Sequence, residues 1–361
     1  MITMAMTPEQ FETLVARLEL QAARRPRLYK LTLGAFATLG YVYVFGVLLM
    51  LLAVAGLLIA ILAAGKALGL AKVVVPIVVL IGTVLRSLWV KLVPPRGLRL
   101  TQREHPELFA AIDDIRRATR APVAHEVLLT NDLNAAIVQV PRLGLFGWQK
   151  NYLVLGLPLL QMLTAEEFKA VLAHECGHLS GAHGRFGAWI HRVRAGWARL
   201  AGTLQQNRHW GRFLFVPFFD WYAPTFAAYS FVQARAHECE ADRLAATTVG
   251  AAPLANALIR LNLKEQELEH SYWPTILKAA DDQPTPQAAP YRGLMSADRR
   301  GFLPQAAERL RQALEQKTGT DDTHPCLRDR IAALEKEPAA RELQCHERRS
   351  EPERFVLRRS K

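Results

Sequence analysis

Cysteine is scarce in this chain of 361 residues, and the four present (Cys176, Cys239, Cys326 and Cys345) form no CxxC pair. That spacing excludes a disulfide-stapled secreted domain and suits a reducing compartment. The sequence also lacks internal repeats, low-complexity tracts, zinc-finger spacings and a glycine- and aromatic-rich RNA-binding signature. Nucleic acid is therefore not an expected partner, although 45 Lys plus Arg outnumber 33 Asp plus Glu and leave a net charge of +12. A basic face against anionic lipid headgroups is the better reading of that excess. The most informative absence is local. Leu31 to Gly65 contains no charged residue, and Ala67 to Val90 contains only Lys72 and Arg86. The first run is too long, and begins too late, for a signal peptide. With half of the chain hydrophobic, intrinsic disorder is excluded.

A bilayer crossing takes about 20 apolar helical residues, so the two runs predict a transmembrane helical hairpin, Gly34 to Ala63 and Leu70 to Val93. Pro76 inside the second span is tolerable where neighbours satisfy the freed carbonyl, and Arg86 near its end can reach the headgroups. Five basic residues precede the first span (Arg17, Arg24, Arg25, Arg27, Lys30). Five more flank the end of the second (Arg86, Lys91, Arg96, Arg99, Arg103), and only Lys66 and Lys72 lie between. That asymmetry predicts a multi-pass cell-membrane protein with both ends in the cytoplasm. The resulting division is an amphipathic segment over 1–30, the hairpin over 31–95, a cytoplasmic domain over 96–340 and a charged tail over 341–361.

Beyond the hairpin the pattern is mainly helical with a small sheet. Pro106 to Thr119 has helical spacing of Leu108, Ile112 and Ile115. Strands are predicted at Glu126 to Leu129, Ala135 to Val140 and Tyr152 to Leu155, with a turn marked by Gly144, Gly147 and Gln149-Lys150-Asn151. Phe213 to Val232 is aromatic but carries Asp220, Pro217 and Pro224, which favours a buried or interfacial segment over a third span. A loop is expected over Asp281 to Pro290, and helices over Pro304 to Gln316 and Cys326 to Glu337.

The chemistry concentrates in Thr164-Ala-Glu-Glu-Phe-Lys-Ala-Val-Leu-Ala-His-Glu-Cys-Gly-His178. Thr164 and Glu167 make a capping box, so a helix starts there. On it His174 and His178 lie about 40° apart in azimuth and about 6 Å apart along the axis, on one face. Two imidazoles so placed can share one zinc ion, with Glu175 beside the metal, the HExxH arrangement. A third ligand is available in Ala236-His-Glu-Cys-Glu-Ala-Asp242. Glu238 and Asp242 share a helix face, which lets Glu238 ligate while Asp242 accepts the second N–H of a ligating imidazole. His237 is a rival ligand turned about 100° away. Glu240 reads as a surface residue, and His183 falls on the opposite helix face from His174. Cys176 and Cys239 read as small buried thiols between packed helices.

These blocks resemble the HtpX and CAAX-prenyl-protease family of membrane-associated gluzincin metallopeptidases. The matching residues are His174-Glu175-Cys-Gly-His178, Glu238-x-x-Ala241-Asp242, and Thr323-His324-Pro325 leading to Arg330-Ile331. Asn134-Ala135, entering the strand from Ala136, also matches. The resemblance spans roughly Pro106 to Leu334 and implies a zincin-like fold with two metal-binding helices under a small twisted sheet. It implies one Zn2+ per chain held by His174, His178 and Glu238, with Glu175 as catalytic base. His324 and Arg330 are implied to orient substrate or support the oxyanion, and Asn134, Ala135 and Ala136 to receive the substrate strand. HtpX-like members carry further spans between the zinc motifs, and this chain has at most Phe213 to Val232 there. That departure argues against an enclosed chamber and against prenylated substrates. The expected function is a membrane-anchored zinc endopeptidase acting on membrane or juxtamembrane polypeptides, in membrane-protein quality control. The competing class is a non-catalytic membrane protein whose zinc is structural or marks a peptide-binding site.

Overall fold

The computed structural model describes residues 6–65, 69, 71–88, 94–143, 146–180, most of 186–197, 212–282, 306–320 and 322–335. The chain divides into two compact bodies. The first comprises Met1–Leu92, Leu143–Gly147 and Phe186–Ala234; the second comprises Val93–Arg142, Trp148–Arg185 and Arg235–Lys361. The tail over 341–361, the loop from residue 283 onward and His183 lie outside the described residues.

In the first body, α1 (Pro8–Arg24) opens on a Thr7–Gln10 capping box and buries Val15 and Leu18. Helix α2 (Pro26–Ala63) runs 38 residues, which at 1.5 Å per residue is about 57 Å. It starts eight residues before the predicted span because Pro26 at its first turn needs no N–H partner. Helix α3 (Ala71–Leu88) contains Pro76 and packs on α2, with Ile77, Leu80, Ile81 and Val84 joining Leu48, Leu51 and Ala55 in one cluster. Its apolar part covers only Lys72–Leu85. Among the described residues one helix, α2, is long and apolar enough to cross a membrane. The expected second span therefore stands as one short apolar helix. Residues 70 and 89–93 of that span, and the side chain of Arg86, are not described.

The second body holds the sheet. Strands β1 (Leu98–Leu100), β2 (Glu126–Thr130), β3 (Ala135–Leu143) and β4 (Phe146–Gly156) lie in the order β1-β2-β4-β3. Strand β1 pairs antiparallel with β2, and β2 parallel with β4 in the register Leu128 to Val154. Gly156 N donates to Asn134 O and Gln139 Nε2 to Asn151 Oδ1, so β3 runs antiparallel to β4 and forms an edge. The polar Gln149-Lys150-Asn151 is in strand β4, contrary to the turn expected there. Asn151 is buried because its Nδ2 donates to Val123 O, and Lys150 pairs with Glu126 at 2.6 Å. Gly156 cannot carry a side chain: a Cβ would lie 1.8 Å from Asp132 O.

Helices pack on this sheet. Helix α4 (Pro106–Thr119) buries Leu108, Ile112 and Ile115 as its spacing predicts. A short α5 (Leu157–Met162) follows β4, and then α6 (Ala165–Leu179), opened by the predicted Thr164–Glu167 capping box. Helix α7 (Arg212–Thr248) is continuous through Pro217 and Pro224. Its residues up to 234 count with the first body, where Phe215, Phe219, Tyr222 and Phe226 form a buried stripe at helical spacing. That agrees with the buried or interfacial segment expected over Phe213 to Val232. Helix α8 (Ala251–Glu267) runs through a π-helical turn, Leu268–Tyr272, into α9 (Trp273–Asp282). Helices α10 (Ala306–Glu315) and α11 (Leu327–Glu335) complete the body, ending one residue before Gln316 and starting one residue after Cys326, the predicted bounds there.

Candidate metal centre

Helix α6 is buried on nearly every side, and its small residues set the site. Ala170 and Ala173 are fully enclosed, and a Cβ on Gly177 would meet Ala241 Cα at 3.0 Å and Ala241 Cβ at 3.1 Å. The absence of that Cβ lets α7 approach the second turn of the motif and brings Glu238 and Asp242 over His174 and His178. The far end of α6 is anchored by Glu167, buried, which caps Thr164 N and pairs with Arg260 at 3.1 Å.

The three expected donors converge. His174 Nε2 lies 3.2 Å from His178 Nε2 and 3.4 Å from Glu238 Oε2, and His178 Nε2 lies 3.7 Å from Glu238 Oε1. Donors at about 2.0–2.1 Å from a tetrahedral zinc stand about 3.3 Å apart, so this spacing fits the ion. The chemistry fits as well. Glu238 Oε2 is buried and accepts no hydrogen bond, although imidazole nitrogens lie 3.3 and 3.4 Å away. Electron-rich atoms turned on one another in a buried pocket call for a cation between them. The donor group contains Glu238, not the rival His237.

Asp242 stands where the spacing predicts, with Oδ1 2.9 Å from His174 Nδ1. A proton on Nδ1 leaves the Nε2 lone pair for the metal. Arg330 then holds Asp242 from behind, Nε donating to Oδ2 at 2.8 Å and Nη2 to Oδ1 at 2.6 Å. Burial would raise the Asp242 carboxyl, but these partners hold it well below the usual carboxylate range. Burial would lower His174; without an ion, Asp242 and Glu238 outweigh it and raise the imidazole to about 9. His178, buried and beside His174, falls to about 4. Glu175 rises to about 7, chiefly through burial, against the hydrogen bond that Ile137 N–H donates to its carboxylate.

His324 lies on the segment before α11, half exposed, with Nε2 3.3 Å from Glu238 Oε2 and Nδ1 2.9 Å from Asp322 Oδ1. Asn134 is exposed, Ala135 buried and Ala136 half-buried at the start of the edge strand. Three contributors escaped the sequence reading. Ile137 reaches Glu175 through its backbone, Asp322 orients His324, and Gly177 acts by lacking a side chain. Only the last left a trace, a glycine inside the motif. One thiol differs from expectation: Cys176 is buried and pushed up to about 11 by burial, but Cys239 is exposed because it faces away from the α6–α7 contact that Ala241 makes.

With this geometry in place, comparison with known families is decisive. The model of peptidase family M48 matches residues 123–338. The chain belongs to peptidase family M48. That family contains HtpX and the CAAX prenyl proteases, as the resemblance of the motifs implied. No curated protein and no solved structure gives a match to the chain. Members of M48 are metal-dependent peptidases, and the match covers the whole donor group, Glu175 and Arg330.

Proposed function

We propose that this protein is a membrane-anchored zinc endopeptidase. The observation that carries the reading is the convergence of His174 Nε2, His178 Nε2 and Glu238 on one point, with Glu175 next to it. Zinc held there would supply a Lewis acid that acidifies a water at neutral pH and polarises the peptide carbonyl. The chain's own groups do the rest. Glu175, raised to about 7, is suited to take a proton near neutrality and return it to the leaving amine. His324 Nε2 is the exposed donor best placed to support the developing oxyanion. Arg330, with Nε and Nη2 on Asp242, acts as a positioning residue for the His174 ring. Strand β3 is an edge of the sheet, and an extended polypeptide can add along it beside Asn134, Ala135 and Ala136.

The anchor is α2. Only 22 % of its most apolar window is buried within the protein, which leaves a long apolar surface for lipid. With α3 returning the chain across the bilayer, the basic residues before α2 and after α3 favour a cytoplasmic catalytic body, and a tethered site favours membrane or juxtamembrane polypeptides, as in quality control. A structural zinc site is the second reading, favoured by one feature: His324 brings a further nitrogen near Glu238, and a site closed by four protein ligands leaves no place for water. Glu175→Gln separates the two. The expected result is about one zinc per chain by elemental analysis, with cleavage of an unfolded membrane substrate reduced by about 10²- to 10⁴-fold. Undiminished cleavage overturns the assignment of the base; absence of cleavage by the unaltered, zinc-loaded chain favours the structural reading.

A further inference from the structure

A cleft of about 960 Å³ opens beside the metal centre, sharing His324, Arg330 and Asn134 with it. Its size is at the upper end of ligand sites and exceeds what one small side chain needs. One wall is formed where α8 passes through the π-helical turn into α9, with Glu265 on α8, Leu268 and Glu269 on the turn and Trp273 on α9. Turns of this kind are rare and recur at functional sites. The opposite wall comes from the segment before α11, including Lys317 and Asp322.

The charge of the lining is unbalanced. Among the described residues it holds four carboxylates, Asp132, Glu265, Glu269 and Asp322, against the cations Lys317 and Arg330. Arg330 is already engaged by Asp242, outside the lining. Glu265 is raised by burial and by the negative charge of Glu269 and Asp322, so these carboxylates crowd one another. Leu258, Leu261, Leu268 and Trp273 supply apolar surface between them. A cavity of mixed acidic and apolar walls suits a long side chain with an aliphatic stem and a cationic head.

We propose that this cleft is the specificity site for a basic stretch of the polypeptide substrate, a Lys or Arg side chain lodging by Glu265 and Glu269 while the adjoining backbone reaches the metal centre. This deepens the endopeptidase reading and rests on it for the word substrate, but binding can be measured without turnover. The test uses the zinc-loaded, full-length chain in detergent, carrying Glu175→Gln so that nothing is cut. Fluorescence anisotropy compares labelled, unstructured peptides that differ only in a central Lys-Arg, Gln-Gln or Glu-Glu pair. The Lys-Arg peptide is expected to bind at least about tenfold more tightly than the Glu-Glu peptide at low ionic strength, with the gap closing as salt is added. Glu265→Gln with Glu269→Gln should bring that ratio close to one. Glu265→Lys with Glu269→Lys should invert it, an outcome that misfolding cannot imitate. Equal affinity for basic and acidic peptides, or a ratio indifferent to both double variants, overturns the proposal. Discrimination in a chain whose unaltered form cuts nothing would instead keep the site and remove the peptidase.

Discussion

The two bodies have interiors of different kinds. In the first, ring packs on ring: Tyr43 stacks on Phe218 at 3.9 Å between centroids, Tyr222 on Phe226 at 5.5 Å, and Phe36 on Tyr229 at 5.0 Å. Three tyrosine hydroxyls there close on backbone carbonyls, Tyr29 on Tyr229 O at 2.6 Å and Tyr222 on Phe36 O at 2.9 Å, with Tyr43 on Leu214 O. In the second, buried charges are chained together, Arg330 to Asp242 to His174, and Arg260 to Glu167 to the cap of α6. Apolar packing degrades gradually when trimmed. A chain of buried charges fails at any broken link, since each removal strands a partner.

That contrast can be broken experimentally. The largest effect is expected for Asp242→Asn, which leaves Arg330 buried without its counter-charge. Loss of about 3–5 kcal/mol is expected in a denaturation experiment, and zinc affinity measured by competition with a chelator should fall by about 10- to 100-fold. Next comes a matched pair of overpacking changes, Gly177→Val and Gly40→Val. A Cβ on Gly40 would stand 2.6 Å from Tyr222 Oη, as one on Gly177 would crowd Ala241. Each should cost about 1–3 kcal/mol, but elemental analysis should find zinc lost from the Gly177 variant alone. If both lose zinc, the two bodies are not separable in this sense. Thr164→Ala removes the cap of α6 and should cost about 1 kcal/mol by thermal melting. The smallest effect belongs to Tyr222→Phe, about 0.5–1 kcal/mol with unchanged zinc content, because one hydroxyl bond to Phe36 O disappears from an otherwise intact stack.

Local chemistry was the most legible part of the sequence. His174 and His178 share one helix face, and Glu238 and Asp242 another, because a spacing of four fixes that whatever the rest of the chain does, whereas the meeting of the two faces depends on the packing at Gly177. The capping box at Thr164 was readable for the same reason. Strand positions were readable from alternation, but not their ends: Lys150 and Asn151 resembled a turn because their partners, Glu126 and Val123, are more than twenty residues away. Strand β1 was missed since three residues carry too little pattern. The continuity of α7 was hidden by Pro217 and Pro224, which ordinarily end a helix. The aromatic packing around Phe215 to Phe226 compensates for them, and packing of that kind has no signature in spacing. Apolar composition, similarly, marked two runs as possible spans, and length in three dimensions separated α2 from the shorter Lys72–Leu85.

The amide of Ile137 ties the sheet's rim to the carboxylate of Glu175. A polypeptide laid along that rim and the carboxylate that serves its hydrolysis would thus be measured from a single backbone unit. Under the proposed function, an added strand would therefore meet the Glu175 carboxylate at a fixed register.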